Sequence, residues 1–102
     1  MNPHRDQHEK IGAAIWWLLI PDLAFEKRLA GAMAEPSIAY RTTAPAPSAI
    51  GHVEKIKQIM GTEPWQERAL RLTLAERRDI VKAFWELHRA VSRDYYTYEL
   101  QR

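Results

Sequence analysis

Cysteine is absent from the 102 residues, which excludes a disulfide framework, a thiolate zinc site and a cysteine nucleophile together. Glycine is scarce, and the four that occur, at 12, 31, 51 and 61, never cluster. No backbone cradle for phosphate of the P-loop or dinucleotide type can be built from them. The three serines, Ser37, Ser48 and Ser92, all lack a G-x-S-x-G context, so the nucleophile elbow is missing too. A formal charge of +2 is too small to demand a nucleic-acid partner by itself.

Long apolar runs are also missing. The longest, residues 11–20 (IGAAIWWLLI), is about half the roughly 20 residues that a membrane-spanning helix needs. Asp6 and Glu9 precede it, and Asp22, Glu26, Lys27 and Arg28 separate it from the small-x-small site Ala32-Met33-Ala34. Secretory leaders are cleaner than this. The run is expected to be a buried helix of a cytoplasmic protein with no membrane partner.

What is present is helical punctuation. Asn2-Pro3 suits a helix start, after which His4, His8, Ile11, Ile15 and Leu18 share one face. Pro21 ends that helix by biasing Ile20 away from the α region. Asp22 is placed to cap a second helix with Phe25, Leu29 and Met33 on its apolar face, and Glu35-Pro36 stops it. Residues 36–47 (PSIAYRTTAPAP) hold three prolines and no helical period, which reads as a loop or hinge between helical halves 1–35 and 48–102. Ser48 can cap a third helix carrying Val53, Ile56, Ile59 and Met60, closed by Gly61 in the left-handed region. Thr62-Glu63-Pro64 opens a short helix to about Arg71. Thr73-Leu74-Ala75-Glu76 matches the capping box and starts a helix with no stop signal before the final residues. No segment alternates with the two-residue period of a strand. The expected fold is all-α: a single compact bundle of four to five helices with a long C-terminal one.

That last helix carries two stripes. Ile80, Phe84, Leu87, Val91, Tyr95 and Tyr98 form an ordinary core stripe at about 100° per residue. Opposite them stand Arg78, Lys82, Trp85, Arg89, Arg93 and Tyr96. Cations interleaved with Trp and Tyr suit a docking face, because guanidinium groups meet carboxylates or phosphates while the rings stack or fill a pocket. The same pattern also arises where another helix of the chain covers Trp85 and the arginines reach around it to water. From the sequence both readings stand.

Residues 68–93 hold seven basic side chains (Arg68, Arg71, Arg77, Arg78, Lys82, Arg89, Arg93) against three acidic ones (Glu76, Asp79, Glu86). This local excess points weakly to nucleic acid. The short helix, tight Leu72-Thr73 turn and long helix resemble a helix-turn-helix only loosely, since the turn lacks glycine and the second helix is too long. The surplus of tryptophan favours a protein partner.

Other chemistry is thin. His4 and His8 sit at the i, i+4 spacing that lets two imidazoles share a metal, but no H-E-x-x-H motif accompanies them, and a solvated pair near a frayed terminus is the simpler expectation. His88, at the edge of the core stripe, reads as a structural histidine. His4-Arg5-Asp6 spells a fragment of a kinase catalytic loop in a chain too short to be a kinase. No enzyme, cofactor or metal is expected.

The function expected from these features is a small non-enzymatic α-helical binding or regulatory protein. It would be an inhibitor, adaptor or accessory factor, including one of a mobile element. Its partner-binding residues would be Arg78, Lys82, Trp85, Arg89, Arg93 and Tyr96. One alternative is a nucleic-acid-binding protein of transcription control. Another is a structural subunit of a helical homo-oligomer.

Overall fold

The structure is a computed structural model that describes residues 2–35 and 47–101. Five helices occur in them and no strand: α1 (Arg5–Leu18), α2 (Phe25–Ala34), α3 (Pro47–Met60), α4 (Trp65–Arg71) and α5 (Leu74–Leu100). The fold is all-α with a long C-terminal helix, as the sequence indicated. Residues 36–46, most of the expected Pro/Ala/Thr-rich loop, lie outside the described residues; Pro47 opens α3 instead of ending the loop.

Two boundaries follow directly from local chemistry. Gly61 takes φ +64, and its N–H donates to Lys57 O at 2.8 Å, so a left-handed glycine closes α3. At α5 the Glu76 N–H donates to Thr73 Oγ1 at 3.1 Å, and the Thr73 N–H donates to Glu76 Oε1 at 2.9 Å. This reciprocal box satisfies two of the free donors at a helix start.

Three boundaries differ from expectation. Asp22 does not cap α2: the cap is Ala24, extended at φ −60 ψ 148 with no side-chain bond. Residues 21–23 form a turn, and the chain must complete that reversal before α2 can run back along α1. Ser48 does not cap α3, because Pro47 already occupies the first helical position, where a missing N–H costs nothing. The Ser48 hydroxyl instead donates to Asp94 Oδ2 on α5 at 2.5 Å. Asn2 does more than start α1. Its Oδ1 accepts from His4 N–H at 2.9 Å, while its Nδ2 donates to Tyr95 O and to Glu99 Oε1, both at 3.0 Å. The N-terminal end is therefore pinned to the end of α5, and no frayed segment carries the two histidines.

Helix α5 is the spine, packed by α1 and α3, while α2 packs on α1 and α4. Helices from both sides of residues 36–46 feed one hydrophobic cluster, from Ile11 (α1) and Leu29 (α2) through Ile56 (α3) and Ala69 (α4) to Ile80, Phe84, Leu87 and Val91 (α5). Each large side chain buried this way contributes about 1.5–3 kcal/mol. Where α1 and α2 meet, Gly31 makes room for the indole: a Cβ there would lie 2.4 Å from Trp17 Cδ2 and force the ring or the helix to shift. Trp17 is further fixed by its Nε1, which donates to Glu35 Oε1 at 3.3 Å.

The 11–20 run is buried on one side only. Ile11 and Ala14 are fully buried, and Trp17 and Leu18 pack against the core, but Trp16 and Leu19 are 71% and 66% exposed. One helix flanked by α2 and α5 has a single inward stripe, and the rest of an apolar run must face outward.

Candidate functional site

The second stripe of α5 lies outside its packing against α1 and α3, except at its end, where Tyr96 meets His8 of α1 edge-on with ring centroids 5.5 Å apart. All six residues read from the sequence, Arg78, Lys82, Trp85, Arg89, Arg93 and Tyr96, are exposed. Trp85 is 49% and Tyr96 56% exposed, so among the described residues no helix covers the tryptophan, and the covered reading is corrected. The reason is tertiary: α1 and α3 take the other side of α5, and α2 reaches this side only with Phe25 at its first turn.

Trp85 stands as a ridge between two grooves. The first, about 540 Å³, is lined by Phe25, Arg77, Arg78, Val81, Lys82 and Trp85, and its surface is almost wholly apolar. The second, about 500 Å³, is lined by Trp85, His88, Arg89, Ser92, Arg93 and Tyr96 and is mixed in character. Phe25, Arg77, Val81, His88 and Ser92 join the site without having been assigned to it from the sequence. Arg77 and Val81 are one helical turn apart and could have been paired with the stripe; Phe25 comes from another helix and carried no such signal.

The cations divide by their partners. Arg68 is consumed structurally, donating to Ile59 O at 2.9 Å and to Glu76 Oε2 at 3.0 Å. Arg71 pairs with Glu63. Arg77 lies 4.8 Å from the Phe25 ring centroid, a cation–π arrangement, and Arg28 stands 5.7 Å from the same ring. Arg89 approaches Glu86 at 3.8 Å. Among the described residues Arg78, Lys82 and Arg93 make no ion pair. The Thr73 N–H above all holds the Glu76 carboxyl below its ordinary value of 4.5; desolvation opposes it, and the Thr73 hydroxyl and Arg68 add smaller lowering contributions.

Behind Trp85 runs a column of near-parallel rings. Tyr95 stacks on His8 with centroids 4.3 Å apart and planes 10° apart. His8 faces His88 at 6.2 Å and 21°, and His88 faces Trp85 at 5.8 Å and 25°. His88 titrates below the ordinary histidine value of 6.5, chiefly because burial disfavours its charged form and secondarily because His8 is close. His4 meets Tyr98 edge-on at 6.3 Å. The expected solvated His4/His8 pair is thus corrected: both histidines are half-buried against α5, held there by the Asn2 bonds. Among the described residues no three His, Asp or Glu groups converge on a common metal position, and no helix is long and apolar enough to cross a membrane.

Helix α4 packs on α2 and only lightly on α3, so it does not brace α5 as the first helix of a helix-turn-helix would. No family model, curated protein or solved structure matches the chain.

Proposed function

We propose that this chain is a binding protein that acts by docking the outer face of α5 on a protein partner. The observation that carries the reading is Trp85, half-exposed between two grooves and flanked by cations. Tryptophan, tyrosine and arginine dominate interface hot spots because they bring large contact area with a polar handle. The action is binding rather than catalysis.

Unpaired Arg78, Lys82 and Arg93 favour a second reading, nucleic-acid binding, in which these residues and Arg89 neutralise phosphates. Four such contacts on duplex DNA give a log–log salt slope near about −3.6, whereas contacts centred on Trp85 give a much shallower one.

The test is a photo-crosslinking amino acid placed at position 86, beside Trp85 and outside both groove linings, and separately at exposed Glu67 on α4, in cells that make the protein. A protease-sensitive adduct formed from position 86 and absent from position 67 supports docking on a protein. A nuclease-sensitive adduct supports the second reading. Equal yields from both positions overturn the docking face.

A further inference from the structure

We infer that the occupant of this face is an acidic amphipathic peptide segment of the partner, with its apolar side chains in the Phe25–Val81–Trp85 groove and its carboxylates on the flanking cations. This rests on the docking reading and adds the chemistry of what docks. The first argument is charge complementarity. Arg77, Arg78 and Lys82 line the first groove, Arg89 and Arg93 line the second, and no carboxylate lines either. Two carboxylates flank the stripe without lining either groove: Glu86, 3.8 Å from Arg89, and exposed Asp79 beside Arg78. Five cations against these two leave an anionic segment a net positive surface, with Arg77 partly committed to Phe25.

The second argument is the floor of the first groove. It is apolar almost throughout, about 540 Å³ in volume, and removed from water only by apolar groups. A polyphosphate backbone would satisfy the cations and leave that floor wet. A peptide with Leu- or Phe-like anchors fills it and places acidic residues at the rim, the helix-in-groove pattern of an apolar face with a charged border. From Arg78 to Tyr96 the stripe runs about 27 Å at ~1.5 Å per residue, which sets the length of a probe that would span it at about five helical turns.

The test titrates the full chain into fluorescein-labelled peptides of about 18 residues, with leucine at helical i, i+3, i+4, i+7 spacing and the remaining positions glutamate in one and glutamine in the other. An oligo-dT strand of similar charge is the third probe. The Glu peptide is expected to bind with anisotropy that saturates and weakens with added salt, and the Gln peptide to bind at least about tenfold more weakly. Val81→Glu blocks the apolar floor and Lys82→Glu reverses the rim. Each is expected to lower affinity for the Glu peptide by about tenfold or more with the unfolding midpoint nearly unchanged, since both positions are exposed. Equal binding of the two peptides, no saturation below about 1 mM, or tighter binding of oligo-dT overturns the inference. If the adduct from position 86 forms while the Glu peptide fails, only the chemistry of the occupant is wrong; if both fail, the docking reading falls with it.

Discussion

Phe84 and Trp85 are neighbours in sequence and opposites in environment. Phe84 is 0% exposed and Trp85 49%, although both are large, aromatic and on the same helix. The difference lies in what stands beside α5: α1 and α3 close over one side, and on the other, among the described residues, only the start of α2 approaches. Trp17 and Trp16 repeat the contrast on α1, one pressed against Gly31 and the other in water. Residue type fixes what a side chain can do, and the neighbouring helices decide whether it stabilises this chain or is left for another.

Substitutions on the two sides should separate cleanly. Phe84→Ala is expected to cost about 3–5 kcal/mol, measured by chemical denaturation; a cost under ~1 kcal/mol would erase the distinction between the faces. Gly31→Ala should cost about 1–3 kcal/mol through overpacking against Trp17, whereas Trp16→Ala should change the unfolding free energy by less than ~1 kcal/mol. Thr73→Ala removes the hydroxyl half of the capping box beneath both stripes and should lower stability by about 1 kcal/mol, visible as a lower thermal midpoint without loss of the peptide response. Trp85→Ala should cost less than ~1 kcal/mol of stability yet lose ~2 kcal/mol or more of partner affinity.

The smallest effect concerns pH. His88 titrates below its ordinary 6.5 when folded, because of burial first and His8 second. The unfolded chain therefore takes up this proton at higher pH than the folded one, so the associated stability is complete above about pH 6.5 and declines as pH falls through that value. Unfolding midpoints followed downward from neutral pH should show the decline, and His88→Gln should flatten it. Glu76 adds a separate loss in the same direction below its ordinary 4.5.

Much of this was legible from residues alone. Thr73 with Glu76, Gly61 and the two stripes of α5 are local patterns, repeated within one or two helical turns, and local hydrogen bonding or periodicity decides them. What was not legible depends on the third dimension. Asn2 bonds to Glu99 at the far end of the chain, Ser48 is drawn off to Asp94, and Phe25 completes a groove whose other walls belong to α5. None of these leaves a spacing in the sequence. The exposure of Trp85 belongs to the same class, because the stripe is identical whether or not a helix lies over it.

The division of α5 into a core face and an open face is tested most directly by the fluorescence of a chain whose only tryptophan is Trp85, with Trp16, Trp17 and Trp65 replaced by phenylalanine and the fold checked by circular dichroism. The expected result is red-shifted emission readily quenched by acrylamide. Blue-shifted emission that resists the quencher in the folded monomer would place Trp85 inside the protein and contradict the open face.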